Sequence, residues 1–477
     1  MSAHPNLIDG QWLAGDPQSN INPSDIADVV GEYDQATRLQ AEHAVQAAGR
    51  AARRWARTTA QTRAELLDTV SREILARRDE LADLLAREEG KTRREALGEV
   101  TRAGQIFGFF AGEAVRLRGD KLPSIRPDVA VDVTREPVGV VGVITPWNFP
   151  IAIPAWKIAP ALAFGNAVIF KPADLTTACG WALAEIIHRA GTPAGVFNLV
   201  MGRGAVLGEV LTGPGVDAVS FTGSTGVGQA VLLAAASRRA RVQLEMGGKN
   251  PLVILDDADL DTAVRCALNG AFFATGQRCT ASSRLVVQAG IHDRFVAALR
   301  AAMRAQVVDD ARAEGTTIGP VVDEKQLATD LRYIDLAKAE GATLVEGGER
   351  VERRAKGHYL TPALFTDTTS RMRINQEEVF GPVASLIRVD SYDEALHVAN
   401  DIEFGLAAGI CTSSLKHAAD FQRNAEAGMV MVNLPTAGVD HHAPFGGRKA
   451  SSYGPREQGA YAAEFYTTVK TSYLNAG

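Results

Sequence analysis

Two residues carry the strongest chemical signal in this chain. Cys279 lies in Ala274-Thr-Gly-Gln-Arg-Cys-Thr-Ala-Ser-Ser283, and Glu245 lies 34 residues earlier, in Glu245-Met-Gly-Gly-Lys-Asn-Pro251. A thiol in a small, polar, glycine-containing loop is open enough to act as a nucleophile. A carboxylate beside a Gly-Gly turn is held by backbone geometry and suits a general base. Together they point to covalent catalysis followed by hydrolysis. Spacing alone does not bring the two groups together, and a lone cysteine among apolar residues more often packs than reacts.

Other segments add to this pair. Thr145-Pro-Trp-Asn-Phe-Pro150 has two prolines that lock the loop and fix the Asn148 amide, an immobile donor suited to a developing oxyanion. Alone, it reads as a turn asparagine. Phe221-Thr-Gly-Ser-Thr-Gly-Val-Gly228 follows an expected strand and opens an expected helix. Its glycines let a phosphate approach the backbone, and the helix N-terminus supplies amide donors. The glycine order departs from the common dinucleotide fingerprint. Lys171-Pro-Ala-Asp174 ends a strand, where a lysine and a carboxylate can hold ribose hydroxyls. A surface ion pair is the plain alternative. Asn375-Gln-Glu-Glu-Val-Phe-Gly-Pro382 sets Glu378 and Phe380 before a Gly-Pro break, and Ala443-Pro-Phe-Gly-Gly-Arg-Lys449 is a further rigid turn. Singly, both read as loops.

These residues need a scaffold, and 477 residues with 46% hydrophobic content suffice for two or three domains. Residues 40–117 have helical periodicity and predict long amphipathic helices whose charge runs form solvated faces. From residue 138 the texture changes. Val138–Ile144, Ala167–Phe170, Val196–Val200 and Ala218–Phe221 read as strands with helices between them, such as Ala178 to Ala190. That alternation predicts a parallel α/β sheet. A second alternating region follows Pro251, with Leu252–Leu255, Arg284–Val287 and Met429–Asn433 as strands. The simplest reading is two α/β domains joined near residues 246–251. Val129–Arg135 and Phe465–Tyr473 also alternate as strands, either paired with another subunit or at an edge within one chain.

Composition excludes several classes of function. The net charge is −6 and no basic tract occurs, so nucleic acid is not an expected partner. Four cysteines without CxxC spacing argue against a disulfide framework or a zinc site, and fit a reducing compartment. The N-terminus lacks a charged start and apolar run, so no signal peptide is expected. Apolar stretches break before membrane-spanning length, and the expectation is a soluble, cytoplasmic protein.

Taken together and in this order, T-P-W-N-F-P, K-P-A, F-T-G-S, E-M-G-G-K-N-P, G-Q-R-C, E-E-V-F-G-P and P-F-G-G-R-K resemble the aldehyde dehydrogenase superfamily over essentially the whole chain. The resemblance implies two parallel-sheet α/β domains, one of them Rossmann-like, plus a small β oligomerisation element. The NAD(P)-binding domain would comprise residues 1–118 and 138–246, the catalytic domain 247–446, and the bridging element 119–137 and 447–477. Dimers or dimers of dimers would form through that element. The resemblance makes Cys279 the nucleophile, Glu245 the general base, and Asn148 with the Cys279 backbone N–H the oxyanion donors. It places Ile144, Thr145, Pro146, Trp147, Lys171, Asp174, Phe221, Gly223, Ser224, Gln326, Glu378 and Phe380 around the dinucleotide.

The implied chemistry is thiolate attack on an aldehyde, hydride loss to the nicotinamide, and hydrolysis of the thioester by water activated at Glu245. It needs no metal. A hydrolytic base also argues against a branch that passes the acyl group to coenzyme A. Ser451-Ser-Tyr-Gly-Pro-Arg-Glu457, Pro435-Thr-Ala-Gly-Val-Asp-His441 and Cys279-Thr-Ala-Ser-Ser283 resemble the branch acting on 2-oxoglutarate semialdehyde (2,5-dioxopentanoate). Such a substrate needs a cationic or hydrogen-bonding anchor, for which Arg278, His441 and His442 are candidates, although each can instead be structural. Phe149, Trp156 and Phe445 would form the walls. Succinate or glutarate semialdehyde is the alternative substrate. A non-catalytic scaffold on this fold is the rival reading, disfavoured by intact Cys279, Glu245 and Asn148. Asp174 stands where many NAD-preferring members of the superfamily carry Glu. The shorter side chain leaves room for a 2′-phosphate clamped by Lys171 and Arg203, so NADP is favoured, with NAD also used.

Overall fold

The computed structural model describes residues 3–475. Residues 1–2 and 476–477, at the outer limits of the expected domain ranges, lie outside the described residues.

Two large sheets organise the chain. In the first, five parallel strands run in the spatial order Phe197–Leu199, Ala167–Lys171, Val140–Ile144, Ala218–Thr222, Arg241–Glu245. Antiparallel strands close both ends, Asn6–Ile8 against one edge and Ser452–Tyr453 against the other. The second sheet has six parallel strands in the order Ala363–Thr368, Val383–Val389, Arg284–Gln288, Pro251–Ile254, Ala407–Cys411, Met429–Val432, with antiparallel Thr343–Glu346 at one edge. Most of the parallel strands are apolar and buried along their length, as expected for strands covered by helices on both faces. Val140–Ile144 and Ala218–Thr222 are the pair at which the first sheet's strand order reverses. Ligands in open α/β sheets bind at the carboxyl ends of strands at such a point.

Arg241–Glu245 is a strand that alternation did not reveal. It ends at Glu245, and only five residues separate it from the first strand of the second sheet. The two strand-like segments of uncertain partner pair with each other: Val129–Pro137 lies antiparallel to Thr467–Asn475 over nine residue pairs, and Asp120–Leu122 adds a third strand. Among the described residues, no helix is long and apolar enough to cross a membrane.

The N-terminal helices depart from the expectation of solvated charge. Glu88, Glu89, Lys91, Glu95 and Glu99 are buried at the ends of two successive helices, Arg78–Glu89 and Arg93–Ala114. Most are matched to partners. Glu88 accepts the N–H groups of Ala178 and Cys179. Glu99 accepts those of Ile151 and Ala152 and pairs with Lys91. Glu95 accepts that of Ala274. Helical periodicity cannot distinguish a water-facing carboxylate from one that satisfies orphan amides of a neighbouring segment.

Candidate active site

Cys279 is placed by a strained loop. After helix Leu260–Phe272, three successive residues adopt left-handed backbone: Ala274 (φ 52°), Thr275 (φ 56°) and Gly276 (φ 67°). Non-glycine residues rarely adopt this region, and two in succession mark a segment over-determined by its surroundings. The surroundings are visible. Gly276 packs against the Gly381 carbonyl, which leaves no space for a Cβ. Gln277 Oε1 accepts the Val322 N–H at 3.0 Å. Asn250 Nδ2 donates to the carbonyls of Cys279 (2.7 Å) and Ala281 (3.0 Å), while its Oδ1 accepts the Ala407 N–H. A Cβ at Gly248 would stand 2.5 Å from the Cys279 carbonyl oxygen, so the Gly-Gly turn is what lets the two segments meet.

The thiol rests in its protonated form. Burial, then Glu378 and Glu245, push the Cys279 pKa up to about 12, against Arg278 and the residue's own amide N–H. A thiolate here therefore needs a proton acceptor or a compensating positive charge. Asn148 is buried and donates one Nδ2–H to the Gln277 carbonyl at 2.9 Å. That bond fixes the amide plane. An amide nitrogen has two hydrogens, so a second donor is left for the cleft. The Asn148 carbonyl is held in turn by Lys91 Nζ at 2.6 Å.

Glu245 is buried at the end of its strand, and its Oε2 accepts the Ser452 hydroxyl at 2.6 Å. Beyond it lies a polar cluster that sequence reasoning missed. Lys157 pairs with Glu457, Lys157 Nζ also donates to Ser220, and Trp156 Nε1 donates to Glu457 at 2.7 Å. Burial and the charge of Glu457 raise the Glu245 pKa well above the usual carboxylate range, against Ser452, Lys157 and Arg456. A base of this kind is poised nearer neutral pH than an exposed glutamate. Lys157 carried a legible signal, being a lone charge in the apolar run Ala155-Trp-Lys-Ile-Ala159.

Two cavities meet at Cys279. The larger, about 840 Å³, is an open cleft at the reversal point of the first sheet. Ile144, Thr145, Pro146, Trp147 and Asn148 line it from one strand end, Lys171 and Asp174 from the next, and Phe221, Gly223 and Ser224 from a third. Gln326, Glu378 and Phe380 close the far side. Lys171 Nζ reaches Asp174 at 3.0 Å, joining a buried cation to a half-exposed carboxylate at the rim. Helix Thr225–Ala236 points its N-terminus into the cleft, and the Ser224 side chain makes no capping bond to it. The hydroxyls of Thr145 and Thr222 are buried without partners. Phe380 is itself left-handed (φ 64°) and packs edge-on against Trp147 at 5.3 Å. Glu378 accepts the Gly248 N–H, and burial lifts its pKa to about 7. Free amide donors, a lysine–aspartate rim and a volume of about 840 Å³ fit a dinucleotide. Arg203 is exposed at the N-cap of helix Gly204–Leu211 and is not among the lining residues, although Gly204, Ala205 and Gly208 are.

The second cavity, about 240 Å³, opens on the other side of Cys279. Phe149, Trp156 and Phe445 are walls, with the last two rings 5.5 Å apart. Arg278 also lines it, but its Nη2 donates to the carbonyls of Asn269 and Gly270, and its guanidinium lies over the Phe273 ring. His441 and His442 are not among its lining residues; His441 packs edge-on against Phe109. Burial and the neighbouring His442 and Arg102 lower the His441 pKa, so it is neutral at physiological pH. Arg102, absent from the expected anchors, lines the cavity instead.

With a cysteine loop between two such cavities on paired α/β sheets, this chain belongs to the aldehyde dehydrogenase family. The family's model matches residues 12–472. The chain is 45% identical to the alpha-ketoglutaric semialdehyde dehydrogenase of Bacillus subtilis (strain 168), over 98% of this chain and 97% of that one. It is 44% identical to the alpha-ketoglutarate semialdehyde dehydrogenase of Haloferax volcanii, with 98% of each chain covered. A crystal structure of betaine aldehyde dehydrogenase from Staphylococcus aureus in complex with NAD+ superimposes with a TM-score of 0.97 at 36% identity, covering 100% of this chain and 95% of that one.

Proposed function

We propose that this enzyme oxidises 2-oxoglutarate semialdehyde (2,5-dioxopentanoate) to 2-oxoglutarate. The observation that carries the reading is the meeting of a dinucleotide-sized cleft and a smaller, arginine-lined cavity at one thiol. The names of the two relatives support the choice of aldehyde.

Cys279 Sγ adds to the aldehyde carbon as its proton passes to solvent through the open cleft, and the carbonyl oxygen becomes an oxyanion held by Asn148 Nδ2 and the Cys279 amide. Lys171, Asp174, Gly223, Ser224, Glu378 and Phe380 would hold a nicotinamide dinucleotide, which would supply the hydride acceptor needed to take the thiohemiacetal on Cys279 to a thioester. Glu245 then takes a proton from water, whose oxygen attacks the thioester carbon. The acid leaves and Cys279 recovers its proton. Ser452 orients Glu245, and the Lys157–Glu457 pair sets its basicity.

NADP is the favoured dinucleotide, with NAD accepted. Lys171 neutralises Asp174, and Arg203 stands beside the cleft-lining Gly204. The chain is proposed to work in the cytoplasm as a homodimer or homotetramer joined through the Val129–Pro137 and Thr467–Asn475 sheet, where Val469, Tyr473 and Leu474 are exposed. The test is reduction of NAD and NADP with 2,5-dioxopentanoate against succinate and glutarate semialdehydes. Preference for the dioxo acid is expected. Activity confined to the other aldehydes would overturn the substrate, and equal loss of both dinucleotides in Arg203→Ala would remove Arg203 from cofactor choice.

A further inference from the structure

We infer that Arg102 receives the remote carboxylate of the substrate, with Arg94 at the mouth of the same cavity and Gly98 keeping the passage between them open. This rests on the proposed oxidation of an acid-bearing aldehyde and names the residue that selects it.

Much of the polar lining of the smaller cavity is already engaged. Glu95 and Glu99 have their oxygens committed to backbone amides, Thr92 and Lys91. Neither forms an ion pair with an arginine of the cavity. Arg278 is fixed by two backbone carbonyls at its Nη2, although its Nε, like that of Arg102, is buried without a partner. Arg102 is held by no such pair of carbonyls. Its Nη2 donates to the neutral amide of Gln458 at 3.0 Å, and its guanidinium lies 5.8 Å from the Trp156 ring. Its Nε is buried without a hydrogen-bond partner, and it has no ion pair among the described residues. A part-buried guanidinium with an unmet donor loses solvation without recovering it. A carboxylate supplies both the missing acceptor and the missing charge, in the planar geometry that arginine matches.

The helix gives the arrangement its direction. Arg94, Gly98 and Arg102 follow at four-residue intervals along Arg93–Ala114, so they share one face, and all three line the cavity. A Cβ built at Gly98 meets no atom within 4 Å. The gap between the two arginines is therefore open space. Asp440 and Glu99 are the acidic groups whose charge reaches Arg102, and neither is bonded to it. His441, whose pKa is lowered by burial, His442 and Arg102 itself, is neutral and adds no competing cation.

The test compares 2,5-dioxopentanoate with pentanal, a neutral aldehyde of equal carbon number. In Arg102→Leu the ratio of kcat/KM for the acid over pentanal should fall on the order of 100-fold, mainly through KM. Arg102→Lys should restore part of the ratio, and Gly98→Val should lower it by blocking the passage. An unchanged ratio in Arg102→Leu overturns the anchor while leaving the proposed function intact. Wild-type preference for a different acid semialdehyde, abolished in Arg102→Leu, upholds the anchor and overturns the proposed substrate. A wild-type enzyme that does not prefer acids over pentanal overturns both.

Discussion

Lys157 and Glu457, 300 residues apart in sequence, form an ion pair with both side chains at most 1% exposed, directly beyond the candidate base Glu245. Glu457 raises the Glu245 pKa and Lys157 lowers it. A general base must be deprotonated, so activity rises with pH through its pKa. Glu457→Gln removes a negative charge and leaves Lys157 facing Glu245, which should move the acid limb of the kcat profile to lower pH. Lys157→Met should move it to higher pH. Breaking the buried pair should also cost about 3–5 kcal/mol of stability, read from denaturant unfolding. Limbs that move together in the two variants would uncouple this pair from Glu245.

The resting thiol sets a second expectation. With the Cys279 pKa pushed up to about 12, the thiolate is scarce at neutral pH in the dinucleotide-free enzyme. Alkylation of Cys279 by iodoacetamide, followed by mass spectrometry, should accelerate about tenfold per pH unit from 7 to 10 without levelling. A plateau near pH 8 would mean that the loop already favours thiolate, with Arg278 and the local amides outweighing Glu378 and Glu245.

Glu245→Gln separates the two halves of the reaction. The amide keeps the size of the side chain but cannot accept a proton from water. One equivalent of reduced dinucleotide per site should form in a burst, followed by turnover slowed on the order of 10²–10⁴-fold. The acylated Cys279 peptide should be visible by mass spectrometry. Slow reduction with no burst would place Glu245 at thiol activation rather than at hydrolysis.

Much of this site was legible because its parts are local. Strand ends, proline-locked turns and glycine pairs announce themselves over a few residues, and Cys279, Asn148 and Lys171 sit in such segments. Glu457 was not legible, because a glutamate in an irregular segment has no pattern that separates it from a surface charge. Arg102 was hidden by its helix. Amphipathic periodicity assigns arginines to the solvated face, whereas here one face of Arg93–Ala114 borders a cavity inside the protein. His441 and His442 drew attention as paired imidazoles, yet the cavity is lined just before them by Ala437, Gly438 and Val439. Residue type indicated that an anchor was needed, but only tertiary packing indicated which side of the cavity holds it.

Asn250 makes the position of Cys279 a side-chain property. It bridges three backbone groups: it donates to the Cys279 and Ala281 carbonyls and accepts from the Ala407 N–H. Asn250→Ala leaves all three without their partner, at about 1–3 kcal/mol for a buried unsatisfied group. Asn250→Asp is nearly isosteric and keeps the acceptor, but it turns a carboxylate oxygen toward two carbonyl oxygens. If the two donated bonds hold the strained loop, Asp should be at least as damaging as Ala in both melting temperature and kcat, despite its closer shape. An Asp variant as active and stable as wild type would shift that task to Gln277 and the left-handed run Ala274–Gly276, whose backbone would then hold Cys279 unaided.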